Sequence, residues 1–433
     1  MSARAGIVVT GTEVLSGIIA DRYGPWLSER LRERGLDVAH IVVVGDRPGD
    51  VLAALAFMRE QRLDVVVTSG GLGPTADDLT AEVVGRFQGR EMVLDEVVEA
   101  RIAEILVPLR RRWPQLDEES IRRSTAKQAV VPAGATVLSP VGTAPGLVVP
   151  PGEPAEGPTV VVLPGPPREL MPMWQDAVST DAFRAAAARA TEYRTGVMRL
   201  FGIPESEIAA SLRAIEGNGL ALDPLEITTC LRRGEIEIAT RYEPASAELY
   251  DSFVAAIAAR HADTLFSRDG ATIDEQLAEL LAGTTVATAE SCTGGGLAAR
   301  LTDRPGASAH VSGGLVVYED AAKVRLAGVA PELIEIHGAV SPEVAEALAH
   351  GAQTMLGAEW GVGITGVAGP GGGTEAKPVG RVCLAVAGPH GAGRTVSTDL
   401  PGDRAAVRDR SATLAMHLLR RSLLAARRVV APG

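Results

Sequence analysis

Lysine is so rare in this 433-residue sequence that each lysine is a candidate for chemistry that arginine cannot perform. Lys127, Lys323 and Lys377 are the only lysines among 42 basic residues. A lysine can release its proton and act as a base, whereas an arginine practically always stays charged. Lys323 is flanked by alanine, valine and leucine residues, as expected for an amine held away from bulk water. The sequence therefore singles out Lys323 as a candidate catalytic base.

Three side chains could act as the nucleophile that such a base serves: Ser291, Cys292 and Ser308. A nucleophile needs a base within hydrogen-bond reach, and a free lysine amine can be that base. A Ser-His-Asp triad would instead require a histidine such as His310 or His337. Cys292 is expected to be a small packed residue, because a free cysteine is more often buried than reactive. These residues predict a nucleophile and base pair but leave the nucleophile open.

A second set of chemistry-bearing residues surrounds the glycine-rich segment from Ser69 to Thr75, which follows a short valine-rich run. Glycines at the carboxyl end of a strand let backbone N–H groups approach an anion, and ligands of open α/β sheets bind at this edge. The segment therefore predicts a phosphate cradle. The alternative is a tight strand-to-helix turn in which Asp77 or Asp78 caps the following helix.

Alternating strands and helices must position both sets of residues. Short β-branched runs such as Val38 to Val44 alternate with amphipathic stretches such as Val51 to Arg62, and the same alternation returns after Thr272. Such alternation favours parallel sheets covered by helices. The sequence predicts two three-layer α/β domains with mainly parallel sheets, residues 1–172 and 269–433, linked by a small α+β module, residues 173–268.

Composition excludes several classes of protein. The 42 basic and 54 acidic residues give a net charge of −12, which disfavours nucleic acid as a partner because such binding rests on many phosphate contacts. No apolar run reaches the roughly 18 residues of a membrane span, and the N-terminus lacks a signal-peptide pattern, so we expect a cytoplasmic protein without a membrane partner. Three cysteines without a CxxC pair predict neither a disulfide framework nor a cysteine-rich zinc site.

Five motifs around the glycine-rich segment resemble the competence/damage-inducible protein CinA family, whose first domain is similar to the molybdopterin-binding (MoaB/MogA-like) fold. The motifs are Gly11-Thr12-Glu13, Asp46, Lys127-Gln128-Ala129, Pro140 to Gly146 and Leu163 to Pro167. The resemblance implies hydrolysis of ADP-ribose and related NAD-like dinucleotide pyrophosphates. The alternative is a domain that only binds a molybdopterin-like or nucleotide ligand.

Pyrophosphate cleavage needs neutralisation of the phosphoryl oxygens, commonly by a divalent metal such as Mg²⁺ held by one or two carboxylates. We expect Asp46 and Asp78 to be the metal ligands. The expected substrate-binding residues of this domain are Thr12, Glu13, Ser69, Gly70, Gly71, Lys127 and Thr143.

Nearly all of residues 272–425 resemble the nicotinamide-nucleotide amidase (PncC) domain that forms the second half of CinA proteins. The motifs are Thr288 to Gly295, Pro305 to Ser308, Val317 to Lys323, His337 to Ser341, Ile364 to Gly372, Glu375 to Gly380 and Pro401 to Arg404. The resemblance implies deamidation of nicotinamide mononucleotide to nicotinic acid mononucleotide and ammonia by a Ser-Lys mechanism without a cofactor. It also implies a homodimer whose partners are small nucleotides.

In the amidase family the nucleophile corresponds to Ser308 and the base to Lys323, with Tyr318 nearby. The expected substrate-binding residues of this domain are Glu290, Ser291, Thr293, Thr365, Gly366 and Arg404. Glu319 and Asp320 depart from the usual family residues after the tyrosine. That departure keeps a third class of function open, a catalytically inert nucleotide-binding scaffold related to competence.

Overall fold

The structure, a computed structural model, describes residues 2–112, 117–152 and 156–430. It divides the chain into two compact units, of which the first ends at Tyr193 and the second begins at Arg194. Both units are mixtures of sheets and covering helices, so the predicted α/β class is confirmed.

The first unit contains eight strands and eight helices within the described ranges. The strands are β1 (Arg4–Thr10), β2 (Asp37–Val44), β3 (Val65–Ser69), β4 (Met92–Leu94), β5 (Val130–Pro132), β6 (Thr136–Leu138), β7 (Gly146–Val149) and β8 (Thr159–Leu163). The helices are α1 (Thr12–Leu15), α2 (Tyr23–Glu33), α3 (Pro48–Glu60), α4 (Thr80–Phe87), α5 (Glu96–Arg112), α6 (Glu118–Gln128), α7 (Pro167–Val178) and α8 (Asp181–Ala186).

The main sheet of this unit has the order β2-β1-β3-β8-β7-β6, and β4 pairs separately with β5. The strands β2, β1, β3 and β8 are mutually parallel, whereas β7 and β6 are antiparallel. Residues Val65–Ser69 and Thr159–Leu163 are buried throughout, as expected for central strands covered on both faces.

Successive residues of β1 face opposite layers of helices, because side chains alternate along a strand. Ile7 packs in a core with Leu31 of α2 and Trp174 of α7, and Val8 packs in a core with Leu55 of α3. The first unit is therefore a three-layer sandwich.

The first unit extends past the predicted domain end at residue 172. Trp174 of α7 and Phe183 of α8 are both buried in its core, with ring centroids 5.8 Å apart. Residues 173–193, which the sequence placed in the linking module, therefore complete the helical layer of the first unit.

The second unit begins with the small module and continues into a larger α/β domain. Its strands are β9 (Arg194–Phe201), β10 (Leu225–Arg232), β11 (Glu235–Tyr242), β12 (Leu265–Ser267), β13 (Val286–Glu290), β14 (Val311–Val316), β15 (Trp360–Gly366), β16 (Arg381–Ala387) and β17 (Gly393–Asp399). Its helices are α9 (Glu205–Gly217), α10 (Ala247–Arg260), α11 (Ile273–Leu280), α12 (Gly296–Thr302), α13 (Asp320–Ala327), α14 (Pro331–His337), α15 (Pro342–Leu356) and α16 (Arg404–Val430).

The module has an antiparallel sheet in the order β10-β11-β9-β12, and the larger domain has the order β14-β13-β15-β16-β17. In the larger sheet, β14, β13 and β15 are parallel, whereas β16 and β17 are antiparallel. The parallel strands carry their carboxyl ends to one edge, and that edge positions the second candidate site.

Glycines let α15 approach the larger sheet closely. A Cβ atom on Gly361 would lie 1.9 Å from the Ala349 carbonyl oxygen, and a Cβ atom on Gly363 would lie 2.1 Å from the Ala345 carbonyl oxygen. Any side chain at either position would push the helix away from β15. Within the described ranges, no helix is long and apolar enough to cross a membrane.

Candidate functional site

The carboxyl ends of β1, β3 and β8 open into a cleft of about 690 Å³ in the first unit. This is the edge at which open α/β sheets bind ligands. Seven of the residues that the sequence predicted for this site line the cleft: Glu13, Asp46, Ser69, Gly70, Gly71, Asp78 and Thr143.

The glycine-rich loop after β3 depends on glycine at two consecutive positions. Gly70 and Gly71 have φ angles of 106° and 67°, in a region that favours glycine. A Cβ atom on Gly70 would also lie 2.5 Å from the Thr10 carbonyl oxygen. The Gly70 N–H donates to the Leu163 carbonyl oxygen at 3.0 Å. That donor therefore joins two loops and is not free for an anion.

Threonine side chains hold three carboxylates of the cleft. Asp46 Oδ2 accepts hydrogen bonds from the Thr12 N–H at 2.9 Å and from its hydroxyl at 2.8 Å. Asp78 Oδ2 accepts from the Thr75 N–H at 2.9 Å and lies 2.6 Å from its hydroxyl, which also contacts Asp77 Oδ1. The Thr75 hydroxyl lowers the pKa of Asp77. Thr12 thus contributes by orienting Asp46.

The Lys127 side chain contacts the backbone of the glycine-rich loop. Lys127 is not among the described residues that line the cleft. Its amine donates to the Thr75 carbonyl oxygen from the last turn of α6. Sequence reasoning missed its buried neighbour Gln128, whose Nε2 donates to the Leu72 carbonyl oxygen at 2.9 Å and to the Thr143 hydroxyl at 3.3 Å. Both side chains hold the glycine-rich loop, and a direct substrate contact by Lys127 stays a prediction.

The cleft is acidic. Its described lining contains neither lysine nor arginine but has five carboxylates: Glu13, Asp46, Asp77, Asp78 and Glu169. A diphosphate would be repelled there unless a cation bound with it. No cluster of three or more acidic, histidine or cysteine side chains suited to a metal occurs in the described part of the chain. The lining therefore fits a divalent cation that takes one or two carboxylates here and its other ligands from substrate or water.

Two further side chains of the cleft lack internal partners. The Ser69 hydroxyl is buried without a hydrogen-bond partner, which is unusual for a buried polar atom. Glu169, in the first turn of α7, was missed by sequence reasoning. The signal that could have found it is an acidic residue immediately after the proline-rich turn that ends β8.

The second candidate site lies at the carboxyl edge of β13, β14 and β15. Lys323 is only 2% exposed, although it belongs to the short helix α13. Its Nζ lies 3.1 Å from Asp320 Oδ1 and donates to the Tyr318 carbonyl oxygen at 3.2 Å. Lysines are almost never buried to this extent unless they are paired. The amine is therefore held at one defined position, just beyond the end of β14.

The structure separates Ser308 from Lys323 and corrects the expected pair. Ser308 is exposed in the 3-10 turn Ala307–Ala309, which precedes β14. The Lys323 amine contacts Tyr318, which follows the opposite end of β14. Six strand residues span about 17 Å at roughly 3.3 Å per residue. That separation is far beyond hydrogen-bond reach, so Ser308 is not placed to lose a proton to Lys323.

Ser291, one of the alternative nucleophiles, lies at the same edge as the Lys323 amine. It directly follows Glu290, the last residue of β13. The Val317 N–H donates to the Glu290 carbonyl oxygen at 2.8 Å, so the chain leaving β14 runs beside the chain leaving β13. The next residue along, Tyr318, is the one whose carbonyl oxygen accepts from Lys323. Ser291 and the buried amine therefore share one corner of the sheet.

Arg404 joins this corner from the first turn of α16. Its Nη2 donates to the Tyr318 hydroxyl at 2.6 Å, and its Nη1 donates to the Gly369 carbonyl oxygen at 2.7 Å. Tyr318 is 58% exposed. The guanidinium is thus fixed by two bonds while it remains open to a ligand on the solvent side, as suits phosphate recognition.

Glu290 supports the site without facing a ligand. Its Oε1 accepts from the Ala298 N–H at 2.8 Å and from the Thr288 hydroxyl at 3.1 Å, and its Oε2 accepts from the Leu297 N–H at 3.0 Å. The side chain is fully buried. The expectation of a substrate contact is therefore corrected: Glu290 holds the start of α12 and the loop that follows β13.

The other predicted binding residues also act through the backbone. The Thr365 hydroxyl donates to the Ala339 carbonyl oxygen at 2.7 Å, and a Cβ atom on Gly366 would lie 2.7 Å from a neighbouring carbonyl oxygen. The Thr293 carbonyl oxygen accepts from Arg408 Nη2 at 2.8 Å, whereas the buried Thr293 hydroxyl has no partner. The Arg408 contact fixes the loop that carries Ser291, and the Thr365 contact joins the end of β15 to the chain before α15.

Cys292 is poorly suited to act as a nucleophile. Burial raises the pKa of its thiol to about 12, so the reactive thiolate is scarce at neutral pH. Burial also raises the pKa of Cys383, and Cys230 is exposed and remote from this corner on β10. Of the three nucleophiles considered from the sequence, the geometry favours Ser291.

Two sequence families match this chain. The family described as "Probable molybdopterin binding domain" matches residues 6–183, and the family described as "CinA C-terminal domain" matches residues 271–423. The CinA-like protein of Mycobacterium sp. (strain MCS) is 58% identical over 423 residues, covering 98% of this chain and 99% of the relative. The CinA-like protein of Mycobacterium tuberculosis (strain ATCC 25177 / H37Ra) is 55% identical over 426 residues, covering 98% of each.

Solved structures match parts of the chain. The competence/damage inducible protein CihA from Agrobacterium tumefaciens is 37% identical, with a TM-score of 0.34, and the match covers 35% of this chain and 94% of that protein. The molybdopterin biosynthesis Mog protein from Mycobacterium ulcerans is 22% identical, with a TM-score of 0.29, and the match covers 44% of this chain and all of that protein.

Proposed function

The chain belongs to the family of CinA-like proteins, and we propose that it is a hydrolase of pyridine nucleotides with two separate sites. The C-terminal site would deamidate nicotinamide mononucleotide to nicotinic acid mononucleotide and ammonia. The N-terminal cleft would hydrolyse ADP-ribose and related dinucleotide pyrophosphates. The observation that carries the first activity is the buried Lys323 amine at the sheet corner shared with Ser291.

In the proposed deamidation, Ser291 Oγ attacks the carboxamide carbon and its proton passes to Lys323 Nζ. The same proton then goes to the departing nitrogen, so that ammonia leaves and a nicotinoyl ester remains on Ser291. Water hydrolyses the ester and regenerates the hydroxyl. Asp320, 3.1 Å from the amine, orients the base and stabilises the ammonium that forms, as a third group does in other nucleophile and base pairs.

Arg404 is the candidate for the phosphate of the mononucleotide. Its guanidinium is already held against Tyr318 and Gly369, so little side-chain freedom is lost when a ligand binds. Tyr318 would then line the path between the phosphate and the reacting carboxamide. The sequence-based assignment of Lys323, Tyr318 and Arg404 to one site is retained in this proposal, whereas Ser291 replaces Ser308.

In the N-terminal cleft, a divalent cation would neutralise phosphoryl oxygens that the five carboxylates would otherwise repel. Asp46 and Asp78 are its candidate ligands, because each has a second carboxylate oxygen beyond the one held by threonine. The unpartnered Ser69 hydroxyl is available to a phosphate oxygen. The acidic lining supports this proposal, because an anionic substrate requires an added cation there.

Product analysis by mass spectrometry tests both activities in the full-length protein. Nicotinamide mononucleotide alone should give nicotinic acid mononucleotide and ammonia, and ADP-ribose with Mg²⁺ should give AMP and ribose 5-phosphate. Saturable binding of both nucleotides without any product would support the inert scaffold instead. Binding of ADP-ribose without AMP would leave the cleft as a ligand-binding site only.

A further inference from the structure

We propose that Glu169 is the general base of the N-terminal cleft and takes the proton from the water that attacks the pyrophosphate. The inference rests on the pyrophosphatase activity proposed above and adds the residue that activates its nucleophile. Glu169 lies in the first turn of α7 and lines the cleft together with the glycine-rich loop.

The chain leaves a defined space for the Glu169 carboxylate. A Cβ atom on Gly142 would lie 2.4 Å from Glu169 Cδ and 2.5 Å and 2.6 Å from its two oxygens. The carboxylate therefore rests directly over the backbone of Gly142, within the loop that also carries Thr143 into the cleft. Even an alanine at position 142 would displace it. The absence of a side chain at Gly142 therefore leaves room for the carboxylate at the wall of the cleft.

Glu169 differs from the aspartates of the same cleft in its partners. Asp46, Asp77 and Asp78 each accept a hydrogen bond from a threonine hydroxyl. No hydrogen bond or ion pair to the Glu169 carboxylate occurs among the residues that the structure describes, so its lone pairs are free to accept a proton from water. Burial also raises the pKa of Glu169.

Carboxylates that have different surroundings within one site commonly divide the roles of base and ligand. The aspartates are already hydrogen-bond acceptors, and their remaining carboxylate oxygens suit a cation. Glu169, half-buried and unpaired, suits proton transfer, because a base works best when its pKa lies closer to the working pH.

The step balances as a hydrolysis. A water oxygen forms a bond to one phosphorus of the pyrophosphate, and the water proton passes to the Glu169 carboxylate. The bond from that phosphorus to the bridging oxygen breaks, and its electron pair stays on the bridging oxygen of the departing phosphate. The carboxyl group then returns its proton to a product phosphate or to solvent. ADP-ribose and water thus give AMP and ribose 5-phosphate.

The test compares Glu169→Gln with Glu82→Gln in the full-length protein, using ADP-ribose and Mg²⁺. Glu82 is an exposed first-turn glutamate of α4 that does not line the cleft. Glu169→Gln should lower kcat by about 10² to 10⁴-fold. It should also abolish the fall in rate at low pH, because that fall reports protonation of the base. Glu82→Gln should match the parent, and the affinity of Glu169→Gln for the product AMP should be unchanged.

Gly142→Ala provides a second variant that leaves the glutamate in place. Gly142→Ala should also lower kcat. The double variant should be no slower than Glu169→Gln alone, because both changes remove the same contribution of the Glu169 carboxylate. A Glu169→Gln protein that keeps the parental rate and pH profile would overturn the inference and leave the pyrophosphatase proposal standing. A parent protein that forms no AMP would overturn both. If Glu169→Gln does not fold, a parental pH profile in Gly142→Ala would overturn the inference.

Discussion

The two candidate sites use the same architecture with different ionisable side chains. Each lies at the carboxyl ends of parallel strands, beside a glycine-rich loop that starts a helix. The N-terminal cleft has five carboxylates and no cationic side chain in its described lining. The C-terminal corner has the buried Lys323 amine and the fixed guanidinium of Arg404.

The difference shows that the loop geometry alone does not decide the chemistry. Where the protein supplies its own amine and guanidinium, an anionic nucleotide can bind and react without a metal. Where it supplies carboxylates, an anionic nucleotide needs an added cation. The comparison therefore predicts one metal-independent and one metal-dependent activity on a single chain.

The largest expected effect separates the two serines of the C-terminal domain. Ser291→Ala should lower ammonia release from nicotinamide mononucleotide by at least about 10³-fold, because it removes the attacking oxygen. Ser308→Ala should stay within about twofold of the parent, because Ser308 lies at the far end of β14. Steady-state ammonia assays with both variants check this, and the reverse order of effects would contradict the assignment.

Removal of divalent metal should separate the two domains. With excess EDTA, AMP formation from ADP-ribose should fall by about 10³-fold, because several kcal/mol of charge stabilisation are lost. Ammonia release from nicotinamide mononucleotide should be unchanged in the same sample, and Mg²⁺ should restore AMP formation. Equal sensitivity of both activities to EDTA would contradict the predicted difference in metal dependence between the two sites.

Arg404→Ala should weaken substrate binding in the C-terminal site. Loss of a charged hydrogen-bond donor to phosphate costs about 1.5 to 3 kcal/mol, so KM for nicotinamide mononucleotide should rise by about 10 to 100-fold. The effect on kcat should be smaller. Arg394→Ala, at an exposed position of β17, is the matched control and should leave KM unchanged. A loss confined to kcat would argue against phosphate recognition by Arg404.

The smallest expected effect concerns the thiols. Iodoacetamide at pH 8 should modify only the exposed Cys230, because burial shields Cys292 and Cys383 and raises their pKa values. Ammonia release should be unchanged after this treatment. Peptide mass analysis counts the modified cysteines, and inactivation that accompanies modification of Cys292 would restore it as a nucleophile.

Most of the fold could be predicted because its hydrophobic pattern is strong. The β-branched run from Val38 to Val44 is observed in the strand Asp37–Val44, and the amphipathic stretch from Val51 to Arg62 overlaps the helix Pro48–Glu60. The end of the first unit was harder to place. The helices α7 and α8 belong to it because Trp174 and Phe183 are buried in its core. Alanine-rich helices carry no signal that tells which neighbouring sheet they will cover.

The sequence predicted which loops form the candidate sites. It did not predict which atoms each side chain contacts. Along the chain Ser308 lies nearer to Lys323 than Ser291 does, and only the strand direction shows which end of the sheet each serine occupies. Glu290 and Lys127 were expected to face ligands because they are polar residues in motifs. Their partners are backbone groups brought close by folding, which no single-sequence pattern reveals.

The most direct test of the central claim is the position of the acyl group during deamidation. The full-length protein is mixed with nicotinamide mononucleotide, quenched rapidly in acid and digested with trypsin. The peptides Asp269–Arg300 and Leu301–Lys323 then report separately on the two serines. The account predicts a nicotinoyl group on Ser291, located by fragmentation within the first peptide. A nicotinoyl group on Ser308 in the second peptide, or on Cys292, would contradict it.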